Sequence, residues 1–336
     1  MEPLVSVVLP VRNGGRWLGA AVDSILGQSL SDLELILVDD HSTDGALQHV
    51  PDGDPRLRVM ENPGRGVSSA FNAGFAASRA PYVARMDADD LALPPRLEQQ
   101  VGFLDQHPDI DLCGGCVEIF VSDRPDGRPA GGNRRYQAWL NACRTPERIR
   151  RELFVESPIP NPTVMFRRET LRKLNGYREP EWPEDYDLFL RADACGMRMG
   201  KPDGTLLRWR DHEGRLTRTD ARYAVKSFQA AKAHFLARYR LRASGPVVIW
   251  GAGPTGRSMH DLLRGEGVEV SGFLDVHPRR VGGHKRGLPV WPVGHADRLA
   301  GVFVLVAVGA AGAREKIRDF MRARQRLEGA DYLFVA

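Results

Sequence analysis

In the N-terminal part of the chain the hydrophobic pattern switches between two periods. Val5–Val11 (VSVVLPV) and Leu33–Val38 (LELILV) are nearly continuous apolar runs of strand length, as expected of strands covered on both faces. Between them Leu18, Ala21, Val22, Ile25 and Leu26 recur at helical spacing. Strand, helix and strand in this order make a βαβ unit, with a right-handed crossover and a ligand site beyond the carboxyl ends of its strands. Leu57–Met60 predicts another short strand, and the Ala- and Ser-rich stretch 67–78 a helix. That helix leads into the apolar run Tyr82–Met86.

Carboxylates gather where these strands end. Asp39 and Asp40 follow one strand, and Asp87, Asp89 and Asp90 follow another within four positions. Three like charges at one strand end repel each other, which makes sense if a divalent cation or a positively charged ligand lies between them. The competing reading is an acidic cap on a helix starting near Pro94, but capping needs only one carboxylate. In that helix Leu97, Val101 and Leu104 face inward, and His107-Pro108 ends it.

Ile110–Val121 reads as one strand region containing Cys113-Gly-Gly-Cys116. No second pair or nearby His completes a zinc set, and in an extended strand the two thiols face opposite ways, so the pair is read as structural. Residues 122–135 combine Pro, Gly and Arg without periodicity and suggest a mobile loop. Arg134, Arg135, Arg144, Arg148, Arg150 and Arg151 then cluster around a helix, either as a solvated face or as a contact for phosphate or anionic lipid. Prolines in Ser157–Arg168 form a rigid wall before a strand at Thr163–Phe166. Glu184 and Asp185 open a helix whose buried side is Leu188, Phe189 and Ala192. On their own, these acids are equally well read as partners of the helix dipole. A long amphipathic helix is expected over about Asp220–Arg242.

Composition narrows the class. A chain of 336 residues, 42% hydrophobic and 27% charged, has the make-up of a globular protein with room for two domains. A net charge of +4 does not suggest a nucleic-acid partner. Four dispersed cysteines without a secretory leader suggest reduced thiols and a cytoplasmic setting. No apolar run is long enough to span a membrane, so membrane contact would be peripheral, at the inner face.

The ordered motifs VSVVLPVRN, SILGQSL, LELILVDDHSTD, NAG, ARMDADD with PPRL, PTVMFRR and PEDYDLFLRA make the first 220 or so residues resemble glycosyltransferase family 2, inverting enzymes of the GT-A fold. The resemblance implies a mixed, mostly parallel α/β sheet flanked by helices. It also implies a nucleoside-diphosphate sugar donor, a divalent cation (Mn²⁺ or Mg²⁺) and a carbohydrate or lipid-linked acceptor, in surface polysaccharide synthesis. By similarity, Asp40 contacts the base, Asp87 the ribose and Asp89 the cation, while Asp185 is the general base. Pro10 and Arg65 fall in the donor site, and His212 where some relatives have a further metal ligand. Two positions depart from the family pattern: Phe71 stands where many relatives carry Arg, and Asn161 where His is common. The alternatives are a nucleotidyltransferase or a non-catalytic nucleotide-sugar-binding protein. The former should carry a glycine-rich, basic phosphate loop after its first strand, and Arg12-Asn13-Gly14-Gly15-Arg16 is a poor version of one.

A second pattern follows Ala243-Ser244-Gly245. Val247–Trp250 predicts a strand, Gly251, Gly253 and Gly256 form a G-x-G-x-x-G turn opening a helix, and Val268–Leu274 predicts a strand ending at Asp275. This is the dinucleotide fingerprint in its expected context. It resembles the small Rossmann-like domain of some sugar acyltransferases, whose hexapeptide repeats are missing here. An oxidoreductase reading lacks a hydride-transfer partner. Ligand binding by this part, or a role in docking or dimerisation, are both open. The expected organisation is a glycosyltransferase domain over 1–219, a connecting helix and linker over 220–244, and a Rossmann-like domain over 245–336.

Overall fold

The computed structural model describes residues 2–121, 131–242, 245–298 and 301–336. Contacts divide the chain into two compact units. The first is Met1–Ile149, Pro158–Pro180 and Asp187–Asp220; the second is Arg150–Ser157, Glu181–Tyr186 and Ala221–Ala336. Among the described residues no helix is long and apolar enough to cross a membrane.

The first unit begins with β1 (Val5–Val11), α1 (Leu18–Leu26), β2 (Leu33–Asp39), β3 (Leu57–Glu61), α2 (Val67–Ala77) and β4 (Tyr82–Arg85). It continues with β5 (Leu91–Ala92), α3 (Arg96–Gln106), β6 (Leu112–Cys113), β7 (Cys116–Phe120), α4 (Gly131–Ala142) and α5 (Pro146–Glu152), the end of which, from Arg150, belongs to the second unit. Then come β8 (Met165–Arg167), α6 (Arg168–Lys173), α7 (Glu184–Ala194), whose first turn Glu184–Tyr186 belongs to the second unit, β9 (Met199–Gly200), β10 (Thr205–Arg210) and α8 (Leu216–Thr219). The central sheet has the order β3-β2-β1-β4-β8-β6-β9. Strands β3, β2, β1 and β4 are parallel, and β8 runs antiparallel between β4 and β6. Every residue of β1 and β2 is buried, which explains their unbroken apolar runs: helices cover both faces. A smaller sheet, β5-β10-β7, brings the end of β10 beside the turn after β4.

Several sequence expectations change. The strand region Ile110–Val121 is two strands in two sheets, because the chain turns at Gly114-Gly115. A Cβ on Gly114 would lie 2.7 Å from Ile159 Cγ2, and the Gly115 amide donates to Thr163 Oγ1. Cys113 and Cys116 are both buried, and burial pushes the Cys113 thiol up to about 12. Of the loop expected at 122–135, residues 122–130 lie outside the described residues, while 131–135 belong to α4. The helix expected over Asp220–Arg242 is interrupted, since Asp220 and Ala224 have extended backbone. Only Val225–Phe235 (α9) is regular α-helix, followed by a π-helical turn.

The second unit also contains β11 (Val247–Trp250), α10 (Pro254–Gly265), β12 (Val270–Asp275), β13 (His284–Lys285), β14 (Leu288–Pro292), β15 (Phe303–Val306), α11 (Ala313–Arg322) and β16 (Tyr332–Phe334). Its sheet order is β13-β14-β12-β11-β15-β16, parallel apart from the β13–β14 pair. Val155, from the segment before β8, is part of this unit's hydrophobic core.

Candidate functional site

Pairing of β1 with β2 and β4 aligns their carboxyl ends, so Asp40 and the acids after β4 share one sheet edge. Asp40 is buried, and its amide donates to the Val11 carbonyl at 2.7 Å. Its carboxylate accepts from Asn62 Nδ2 at 2.6 Å and from the Gly66 amide at 2.9 and 3.0 Å. Gly66 precedes α2 at φ +88°, a left-handed conformation that glycine adopts without strain. Pro10 is buried in β1 opposite Val38, and Arg65 is exposed in the turn before α2.

Asp87, Asp89 and Asp90 each offer a carboxylate oxygen within 4.8 Å of the others. Asp87 accepts from Arg85 Nε at 3.0 Å. Asp89 accepts from His212 Nε2 at 2.8 Å, and its carbonyl accepts from Arg210 Nε at 2.6 Å. Burial raises the Asp89 carboxyl, but the His212 hydrogen bond and the charge of Arg215 outweigh it and hold the group below its ordinary value. Asp90 is 1% exposed; Oδ1 accepts the Arg210 amide at 2.8 Å, and buried Oδ2 has no hydrogen-bond partner among the described residues. Burial, then the charges of Asp89 and Asp87, push its carboxyl well above the ordinary range. The capping reading fails, because α3 is capped at Pro95 without a side-chain bond and Asp90 is turned to Arg210. A hard divalent cation fits this donor set: the ligands are carboxylate oxygens, and one buried oxygen lacks a donor.

Several supporting residues were not singled out in the sequence. Arg96 is fully buried behind the acids, donating to the Arg85 carbonyl at 2.6 Å and to Gln100 Oε1 at 3.1 Å, and burial lowers its guanidinium to about 10. Trp17 packs at a tilt against His212 with centroids 4.4 Å apart and lies under Arg210. The PPRL motif and the apolar–basic alternation of β10 were the available signals. The two departures from the family pattern meet at one residue. Phe71 packs edge-on against Tyr177 at 4.7 Å, and the Tyr177 hydroxyl donates to Asn161 Oδ1 at 2.6 Å. The Arg85 guanidinium lies over both rings, so a cation from β4 stands beside Phe71.

Residues 6–174, half of the chain, match the family described as Glycosyl transferase family 2. The chain belongs to glycosyltransferase family 2. EpsE of Bacillus subtilis (strain 168), which carries the name of a glycosyltransferase, is 31% identical over 231 residues, 66% of this chain and 78% of EpsE. The Escherichia coli O-antigen biosynthesis glycosyltransferase WbnJ is 27% identical over 217 residues, 62% of this chain and 80% of WbnJ. Among solved structures, S. aureus TarS 1–349 in complex with UDP-GlcNAc superposes with a TM-score of 0.54 at 20% identity, covering 72% of this chain and 68% of that one. That likeness is one of fold, and it agrees with the mixed, mostly parallel sheet expected of a GT-A protein. As a family 2 member, the chain is a glycosyl-transfer enzyme.

The remaining expected site residues lie in the second unit. Glu184 is 1% exposed and accepts from the Tyr223 hydroxyl at 2.7 Å. Asp185 is half-buried in the first turn of α7 and accepts the Tyr186 amide at 2.7 Å. In the glycine loop, Gly251 has φ +116° and a Cβ on Gly256 would fall 1.7 Å from the Gly251 carbonyl oxygen, so α10 can approach β11 only with glycine there. Gly253 is the N-cap of α10. Asp275 is 4% exposed, and its carboxylate takes the Ala252 and His277 amides at 2.9 and 2.8 Å and Arg280 at 3.1 Å.

Proposed function

We propose that this glycosyltransferase moves a sugar, with inversion, from a nucleoside diphosphate to a carbohydrate or lipid-linked acceptor during polysaccharide synthesis, using a bound divalent cation. The reading is carried by the three carboxylates after β4, held beside Asp40 on the edge of a parallel sheet. In this reading Asp40 recognises the base, Asp87 the ribose, and Asp89, assisted by Asp90 and His212, holds Mn²⁺ or Mg²⁺. The cation supplies charge stabilisation to the departing diphosphate. Pro10 and Arg65 border the donor. Asp185 accepts the acceptor hydroxyl's proton as its oxygen attacks the anomeric carbon from the face opposite the leaving group.

The names of the relatives support the setting: WbnJ is named for O-antigen biosynthesis, and the TarS structure was solved with UDP-GlcNAc. The test is thermal stabilisation by UDP, GDP, dTDP and CDP, each with and without Mn²⁺, on wild type and Asp89→Asn. One nucleotide should stabilise the wild type in a metal-dependent way, and the effect should vanish in the variant. A response that survives Asp89→Asn, or no response to any nucleotide, refutes the assignment.

A further inference from the structure

The segment that carries Asp185 is built into the second unit by side chains of that unit. Trp182 packs on His234 at 5.2 Å and on Phe235, and Tyr186 packs on Phe228 at 5.4 Å. The Tyr186 hydroxyl donates to the Leu153 carbonyl at 2.6 Å, and buried Glu184 accepts the Tyr223 hydroxyl. The 150–157 segment beneath Tyr186 is fixed in turn. Buried Lys232 donates from Nζ to the Val155 carbonyl at 2.7 Å and to the Val335 carbonyl at 3.2 Å. Glu152, 5% exposed, receives Arg314 at 2.8 Å and Arg318 at 2.9 Å from α11. Arg318 also binds Glu328.

This is more organisation than a module appended for its own ligand requires. Asp275, the acid that would meet a ribose in a dinucleotide site, is occupied by three donors of its own unit. The glycines beside it serve close packing of α10 on β11. Arg314 and Arg318 of α11 reach instead to Glu152, Lys232 of α9 reaches to Val155, and α9 with the turn before it covers Trp182, Glu184 and Tyr186.

We propose that the second unit is a positioning module for the catalytic carboxylate: Tyr223 acting on Glu184, and Lys232 acting through Val155, hold the first turn of α7 and so set the place of Asp185. The inference rests on the general-base reading of Asp185. Tyr223 and Lys232 are positioning residues, since they act through neighbours. A general base must stay within hydrogen-bond reach of the hydroxyl it deprotonates, so a loosened first turn lowers turnover while leaving donor binding intact.

The test uses the full chain with Tyr223→Phe, which removes one oxygen, and Lys232→Met, which keeps most of the side-chain volume. The first readout is hydrogen exchange at the Leu188 and Phe189 amides, whose helical partners are the carbonyls of Glu184 and Asp185. Exchange should quicken on the order of tenfold in each variant, as expected from loss of a hydrogen bond to a charged or buried group, while amides of β1 and β4 keep wild-type rates. The second readout is Mn²⁺-dependent release of nucleoside diphosphate from UDP-, GDP-, dTDP- and CDP-glucose. With the sugar nucleotide that turns over, kcat should fall on the order of tenfold with KM unchanged. Glu184→Gln, which keeps an acceptor for Tyr223, should remain near wild type.

Unchanged exchange at Leu188 and Phe189 overturns the inference. So does quickened exchange with full turnover in both variants when Asp185→Asn has lost turnover. If Asp185→Asn itself turns over normally, the general-base reading falls, and the catalytic purpose of the anchorage falls with it.

Discussion

Replacing Asp90 by Asn should make the metal-free protein more stable and its response to metal weaker. Two full charges no more than 4.8 Å apart repel by at least roughly 3.5 kcal/mol at an effective dielectric constant of 20. Asp90 faces two such neighbours, Asp87 and Asp89. Both neighbours keep part of their side chains in water, and Arg215 offsets some of the repulsion. Protonation of Asp90, whose carboxyl is pushed well above the ordinary range, caps this cost, so that the third charge destabilises the metal-free protein by about 1–3 kcal/mol. Asn keeps the acceptor for the Arg210 amide and removes the charge, so the repulsion is relieved. In EDTA the variant should therefore melt higher, by about 2–4 °C for each kcal/mol in a folding unit of this size. Mn²⁺ at a hundred times its Kd adds about 2.7 kcal/mol to the wild type and much less to the variant, closing or reversing the gap. Melting followed by circular dichroism in EDTA and in Mn²⁺ reads both values. A variant that melts below wild type in EDTA, or that gains as much from Mn²⁺, refutes the reading of these carboxylates as a cation site.

Two other outcomes follow from the same geometry. His212→Ala removes the imidazole bound to Asp89 and should weaken Mn²⁺ binding by about 10–100-fold, as loss of a ligand or of its orienting partner does; equal affinity by calorimetric titration would remove His212 from the site. Lys201 is buried with Nζ donating to the Leu140 carbonyl, and burial depresses it to about 8 from 10.5. The unfolded chain therefore binds more protons between pH 8 and 10.5, and wild-type stability should rise with pH across that window. Relative to Lys201→Met, the wild type should gain on the order of 3 kcal/mol by pH 10.5; parallel urea-denaturation curves at pH 8 and pH 10 would contradict the depressed value.

Much of the acidic sheet edge was legible because it depends on local pattern. The apolar runs of β1 and β2 and the acids after β4 lie where a βαβ unit must place them, since parallel pairing aligns strand ends. The break at Gly114-Gly115 was not legible: it depends on Ile159 and Thr163, far along the chain. The same holds for α9, where a continuous helical pattern concealed the extended residues Asp220 and Ala224. Arg96 shows why charge alone misleads, since a fully buried guanidinium has the sequence signature of an exposed one.

By itself the sequence determined the order of strands and helices, the clustering of carboxylates at strand ends and the family, because these follow from periodicity and from residue types within short windows. Only the tertiary structure decided that Asp90 is buried beside Asp87 and Asp89 with one oxygen that has no partner among the described residues, and that Phe71 and Asn161 share Tyr177 beside Arg85. It alone decided that Glu181–Tyr186 is organised with residues 221–336. Each of these is a contact between residues distant in the chain, fixed by packing and hydrogen bonding that no local pattern encodes.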